Sequence, residues 1–291
     1  AYVDQSINEL LPLLSADDAI IDGGNSYYKD DIRRSKVLAE KKMHYVDCGT
    51  SGGVWGLERG YSQMIGGDVK VVTRLDPIFS ALAPGKASAP PTPGRKSKGT
   101  AEQGYLHCGP SGAGHFVKMV HNGIEYGIEQ ILAEAYDLMK RVKGMNGDQM
   151  ADVLGQWNST EELASYLVEI TEVCLRTKDP KDGADLVEKI MDQAGQKGTG
   201  LWTVVTALQM GASVPTIYAS LNGRVMSSMK PQRVNAEQVL KGPSIKDFDL
   251  GKPEDGMSPL MDAVVLSCVA SYAQGMELLR IASNDLDYAL D

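Results

Sequence analysis

Five side chains between residues 118 and 126 carry the functional groups that proton transfer needs. In the string Gly112-Ala113-Gly114-His115-Phe116-Val117-Lys118-Met119-Val120-His121-Asn122-Gly123-Ile124-Glu125-Tyr126, an ammonium, an imidazole, an amide, a carboxylate and a phenol fall at Lys118, His121, Asn122, Glu125 and Tyr126. At about 100° per residue these positions form one polar stripe on a helix, and Val117, Val120, Ile124 and Ile128 take the opposite side. Lys118 and Glu125 suit a general base and a general acid, provided burial or neighbours tune them toward neutrality. The alternative is a solvated face with a Lys-to-Glu contact. Composition separates the two, because an idle face repeats Glu and Lys whereas this one mixes five chemistries.

Three glycine-rich segments offer complementary groups. Asp22-Gly23-Gly24-Asn25-Ser26 follows a short apolar run; its glycines let backbone approach a ligand, and the Asn25 amide both donates and accepts, unless the segment is a plain turn. In Gly49-Thr50-Ser51-Gly52-Gly53, after a strand expected to end at Asp47, consecutive N–H groups at Ser51, Gly52 and Gly53 suit a carboxylate, unless the segment is a flexible turn. Gly195-Gln196-Lys197-Gly198-Thr199-Gly200 places a cation and a hydroxyl among glycines, which suits a phosphate or a simple helix connector. Arg224 follows on a helical segment, where by itself it reads as an ordinary surface arginine.

The elements that must position these groups alternate at first. Ile7 to Leu14 reads as part of a helix, Ala19 to Asp22 as a buried strand, Asp30 to Lys42 as an amphipathic helix, and His44 to Asp47 as a strand. A strand near Tyr61 to Ile65 and a helix from Val71 to Leu82 follow. Residues 83–104, with Pro90-Pro91-Thr92-Pro93-Gly94, read as a surface loop, and Lys252 to Gly256 as a turn between helices. After Tyr105 to Cys108 the patterns are helical. The expected fold is α/β plus all-α: a partial Rossmann-like parallel sheet over 1–111, then a large helical domain over 112–291. No GxGxxG turn opens the sheet; Gly112-Ala113-Gly114 begins that spacing, but Val117 stands where the third glycine belongs.

With 291 residues, 43% hydrophobic and 23% charged, the chain has the composition of a folded globular protein. A net charge of -9 does not suit a general nucleic-acid surface. No uninterrupted apolar run approaches the 18 or so residues of a membrane span. The four cysteines lack any CxxC or zinc spacing and read as reduced thiols in a cytoplasmic protein, and neither HExxH nor a carboxylate-rich metal pattern is present.

The 112–126 string resembles the catalytic helix of the 6-phosphogluconate dehydrogenase family, and the order Asn25, Ser51, Lys118, Lys197, Arg224 follows the family order. The resemblance implies NADP-dependent oxidative decarboxylation of 6-phosphogluconate, with Lys118 as base and Glu125 as acid. It implies substrate contacts at Asn25, Ser51, Gly52, Gly53, His121, Asn122, Tyr126, Lys197, Thr199 and Arg224. Asn25 would also touch the nicotinamide, and the enzyme would be a homodimer. Two features depart from the family pattern: the dinucleotide-binding opening and the C-terminal tail are missing, so the chain is expected to be a piece. Residues 53–104 resemble a shorter bacterial branch and the helical part a longer one. Two alternatives stay open, a substrate-binding or dimerisation fragment without turnover and a β-hydroxyacid dehydrogenase that does not decarboxylate.

Overall fold

The computed structural model describes residues 2–91, 94, 99–242, 250, 252–288 and 290. It divides into two compact units. The first takes Ala1–Asn122, Val205–Ala212 and Glu277–Asp291. Its sheet has strands β1 (Ala19–Asp22), β2 (His44–Ser51), β3 (Ser62–Gly66) and β4 (Tyr105–Gly109), in that spatial order. The helices of this part are α1 (Tyr2–Leu10), α2 (Tyr28–Glu40), α3 (Gly56–Arg59) and α4 (Val69–Leu82).

Sequence dictates this sheet through period-two burial. On β2, Val46 and Cys48 pack with Ile65, Phe79 and Tyr105 on one side, while Tyr45 joins Ile7, Leu38 and Met43 on the other. Parallel pairing holds for β1 with β2 and for β3 with β4, as expected of a Rossmann-like parallel sheet, while β2 and β3 pair antiparallel, so the sheet is mixed. The connection over 52–61 is shorter than the dozen or so residues a parallel crossover requires. β2 also continues past Asp47, since Gly49, Thr50 and Ser51 pair with Met64, Gln63 and Ser62. α4 starts on an Asp68 side chain that accepts from the amides of Lys70 and Val71. In the 83–104 loop, Lys86–Ser88 and Ala101–Gln103 form 3-10 turns, while Thr92, Pro93 and 95–98 lie outside the described residues.

Helix α5 (Ala113–Lys143) begins on this sheet at backbone distance. A Cβ added at Gly49 would lie 2.4 Å from the Lys118 Cβ, one at Gly114 would lie 2.4 Å from the Met64 carbonyl, and one at Gly66 2.7 Å from the Gly114 amide. The buried Asp47 carboxylate accepts from the amides of Gly112 (2.7 Å) and His115 (3.0 Å), satisfying N–H groups that an α-helix leaves unpaired at its start. This attachment explains why the first unit extends to Asn122 instead of stopping where the helical sequence pattern begins at 112.

The second unit takes Gly123–Val204 and Ser213–Met276. Besides most of α5 it contains α6 (Gly147–Asn158), α7 (Tyr166–Arg176), the start of α8 (Thr199–Gln209), α9 (Pro215–Ser228), α10 (Lys230–Glu237) and most of α11 (Ser258–Asp285). Asn146 and Gln149 form a reciprocal capping box at the start of α6. The core is built on Trp157, Met139, Met150, Leu154, Leu175 and Met257. A 3-10 turn at Pro253–Asp255 precedes α11, and Gly256, at φ 62°, ends it. By length and composition α11 is apolar enough to cross a bilayer, a property that counting uninterrupted apolar runs does not reveal. Its Leu260 and Val264 are in the core, while Leu266, Val269, Tyr272 and Met276 are exposed.

Two substitutions test these contacts. The fully buried Trp157 donates from Nε1 to the Gly256 carbonyl at 2.8 Å, so Trp157→Phe should cost about 1–3 kcal/mol in urea unfolding by orphaning that oxygen. Gly49→Ala should cost about 1–3 kcal/mol and shift the NMR signals of residues 112–118, while those of α6 and α7 stay in place.

Candidate functional site

In the first unit, three of the expected groups converge on the end of the sheet. Because β1 and β2 are parallel and Asp22 lies opposite Asp47, the turn after β1 and the extension of β2 emerge on the same side, where α/β sheets bind ligands. Asn25 is exposed on the first of these. Ser51 closes the second, followed by Gly52 (φ 149°) and Gly53 (φ 51°), both exposed in conformations that favour glycine. Lys118 passes over Gly49 of β2 and is only 7% exposed, so it does not belong to a solvated stripe. His121 and Asn122 are half-buried, with His121 Nδ1 3.3 Å from Asn122 Oδ1.

In the second unit, Tyr126, the 195–200 loop and Arg224 come together. The Tyr126 ring packs on Gly200, where an added Cβ would lie 2.4 Å from Cε2. The Arg224 guanidinium sits 4.8 Å from the centre of the same ring, donates to the Gly195 carbonyl at 3.2 Å, and is paired with the Glu129 carboxylate. Beside them lies a cavity of about 570 Å³ lined by Tyr126, Glu129, Asp192, Arg224 and Arg233. Lys197 and Thr199, expected to act together, differ in environment: Lys197 is exposed, whereas Thr199 is buried at the first turn of α8 and its carbonyl accepts from Thr203. Glu125 is half-buried; burial first, then the charges of Cys268 and Glu125, raise the pKa of Tyr272.

Sequence reasoning gave no role to a polar network buried in the first unit. Asp31 Oδ2 lies 2.7 Å from His115 Nδ1, and His115 Nε2 lies 3.1 Å from the Gly24 carbonyl. The Tyr45 hydroxyl is 2.8 Å from both Asp22 Oδ2 and Asp31 Oδ1. Ser26 Oγ and the Gly24 amide donate to Asp22, and Arg34 Nη1 stands 3.5 Å from both Asp22 and Asp31. Burial alone would lower the His115 pKa, but the Asp31 hydrogen bond and the charges of Asp31, Asp47 and Asp22 outweigh it and raise it. Burial, then the Asp31 charge, pushes Asp47 up against the pull of its two amide donors. At Asp22 burial opposes ionisation, yet hydrogen bonds from Ser26, Gly24 and Tyr45 hold the pKa down. Asp22, Asp31 and His115 have metal-ligand chemistry and close spacing, though no metal motif marks them in the sequence. Their facing atoms are taken up by the hydrogen bonds above, which makes the cluster a self-satisfied network. The available signal was an aspartate closing each of two apolar strand runs, Ala19-Ile20-Ile21-Asp22 and Tyr45-Val46-Asp47.

Known proteins resemble the whole chain. Residues 1–89 match the NAD binding domain of 6-phosphogluconate dehydrogenase, and 114–291 match the C-terminal domain of 6-phosphogluconate dehydrogenase. A Synechocystis protein named 6-phosphogluconate dehydrogenase, decarboxylating, is 46% identical over 98% of this chain and 57% of its own length. A Bacillus subtilis relative named as the NADP(+)-dependent, decarboxylating enzyme is 42% identical over 99% of this chain and 58% of its own. Among solved structures, Plasmodium falciparum 6-phosphogluconate dehydrogenase, described as apo and in complex with NADP+ and with 6-phosphogluconate, aligns with a TM-score of 0.84 at 34% identity, covering 99% of this chain and 59% of that one. The chain therefore spans less than three-fifths of the length of these relatives. Two matching domain families in chain order, the second over more than half of the chain, place the chain in the 6-phosphogluconate dehydrogenase family.

Proposed function

We propose that this chain carries the substrate-handling part of an enzyme that oxidises 6-phosphogluconate at C3 with NADP and releases C1 as CO2, giving ribulose 5-phosphate in the pentose phosphate pathway. The observation that carries the reading is the burial of Lys118 against Gly49, beside the strand ends that bear Asn25 and Ser51 to Gly53. Family membership and the descriptions of the relatives support it.

In this reading the Lys118 amine takes the 3-hydroxyl proton. Bound NADP would supply the acceptor for the C3 hydride. Asn25, exposed after a parallel strand, suits the nicotinamide end of that cofactor, while the chain contains no GxGxxG turn for its pyrophosphate. The C1–C2 bond then breaks because the new C3 carbonyl accepts its electron pair, and the Lys118 ammonium returns a proton to that oxygen. Glu125 protonates the carbon that CO2 leaves. Seven residues apart, Lys118 and Glu125 differ by only about 20° around an ideal helix. The glycine amides at 52 and 53 with Ser51 hold the carboxylate, His121 and Asn122 hold sugar hydroxyls, and Tyr126, Lys197, Thr199 and Arg224 hold the phosphate.

The reading includes a homodimer in the cytoplasm, without nucleic-acid or membrane partners. Exposed Leu266, Val269, Tyr272 and Met276 on α11 offer an apolar stripe for a second copy, and all four cysteines are free thiols. The alternative reading is substrate binding or dimerisation without turnover. Separate fluorescence titrations discriminate: binding of 6-phosphogluconate without NADP supports the alternative, and Lys118-dependent NADPH formation excludes it. A non-decarboxylating β-hydroxyacid dehydrogenase acting on a small acid would have no use for the cation pair Lys197 and Arg224.

Lys118→Met should reduce NADPH formation by about 100-fold or more with little change in 6-phosphogluconate affinity; an unchanged rate removes the assigned role. Lys197→Ala should weaken 6-phosphogluconate about tenfold, equal to about 1.4 kcal/mol, and leave gluconate affinity unaltered in calorimetry.

A further inference from the structure

The His115 ring is 1% exposed and packs between two oxygen acceptors. Nδ1 faces Asp31 Oδ2 at 2.7 Å and Nε2 faces the Gly24 carbonyl at 3.1 Å. A neutral imidazole has one N–H, so it would set a nitrogen lone pair against an oxygen lone pair at one of these contacts. Against an ionised Asp31 carboxylate, only the imidazolium satisfies both. Charge balance points the same way: Asp22 from β1, Asp31 from α2 and Asp47 from β2 act on the ring, Arg34 from α2 and Tyr45 from β2 contact Asp22 and Asp31, and Tyr28 and Tyr288 flank the adjacent Phe116. Three of these are buried carboxylates and one, Arg34, is a fixed cation. The Arg34 guanidinium also faces the Asp31 carboxyl, with Nη1 3.5 Å from Oδ1.

We propose that His115 is a positioning residue: its ring, protonated on both nitrogens, ties the Asp31 carboxylate of α2 to the Gly24 carbonyl and so holds the Asn25 turn against the start of α5, one helical turn before Lys118. The backbone of His115 is fixed independently, because its amide donates to Asp47. The ring therefore transmits the position of the sheet-anchored helix start to a turn whose own residues, Gly23 to Asn25, are exposed. The Asp22 bonds to the Gly24 amide and to Ser26 shape the turn internally, whereas the His115 bond links it to α5. The role assigned rests on the reading of Asn25 and Lys118 as substrate- and proton-handling groups.

The test uses the chain itself, which has four histidines, and long-range 1H–15N NMR of the imidazole nitrogens with His115 assigned by His115→Gln. At pH 7, above the ordinary histidine value, His115 should still show two protonated nitrogens. Asp31→Asn should convert it to the neutral form at that pH and speed amide exchange at residues 24–26 about tenfold or more, with α4 unchanged. A neutral His115 in the unaltered chain at pH 7 overturns the proposal, as does a neutral ring in Asp31→Asn with exchange at 24–26 unchanged. Should Asp31→Asn not fold, the unaltered chain decides: raising pH until the ring loses its proton should release residues 24–26 in the same step, and their indifference to that step rejects the link. Where NADPH formation is measurable, kcat should fall about tenfold in His115→Gln with the KM for 6-phosphogluconate within about twofold; an unchanged kcat rejects the positioning role. Failure of the unaltered chain to bind 6-phosphogluconate or turn it over counts against the proposed function alone, because the NMR and exchange readings do not involve substrate.

Discussion

A helix can meet a β-sheet at backbone distance only where side chains are missing, and the start of α5 has that arrangement. Gly49 on β2, Gly66 at the end of β3 and Gly114 on the helix leave no room for a Cβ, and Lys118 is buried as a result of that approach. Interiors are packed too densely for such a contact to be retained with even one extra carbon in it. The helix start in turn requires an acceptor for its amides, and Asp47 supplies it from the same strand whose far end carries Ser51. One junction thus fixes the register between a buried amine and the loop beyond β2.

That junction brings three carboxylates into a low-dielectric interior, which is unfavourable unless each is hydrogen-bonded and partly neutralised. Arg34 and His115 answer the charge, and Ser26, Tyr45 and the amides of Gly24, Gly112 and His115 answer the lone pairs. Because these groups come from β1, α2, β2 and α5, the network ties the separate chain segments of the first unit to one another. Loss of a single partner would leave a buried charge exposed to that interior, so the members depend on one another more than surface ion pairs do.

The second unit uses a different device. There Tyr126 lies flat enough against Gly200 for Arg224 to cover its ring, and Arg224 is held by Glu129 and by the Gly195 carbonyl. A guanidinium fixed at several points keeps its fork geometry, which suits recognition of an oxyanion better than a mobile ammonium does. Lys197, exposed in the neighbouring loop, can add charge without contributing shape.

Much of this protein was legible in its residues. Short apolar runs located the strands, helical spacing located α2 and α4, and the variety of groups from Lys118 to Tyr126, with the glycine-rich segments, identified the family and its candidate residues. Local patterns carry such information because period, capping and turn chemistry act over a few neighbours. The antiparallel step between β2 and β3, the extension of β2 to Ser51, the Asp31–His115–Gly24 chain and the Glu129 partner of Arg224 depend on residues far apart in sequence. A titratable side chain reads the same in any sequence whether it is solvated or enclosed; only packing, by removing water and choosing its neighbours, decided that Lys118 and His115 are buried and what His115 touches.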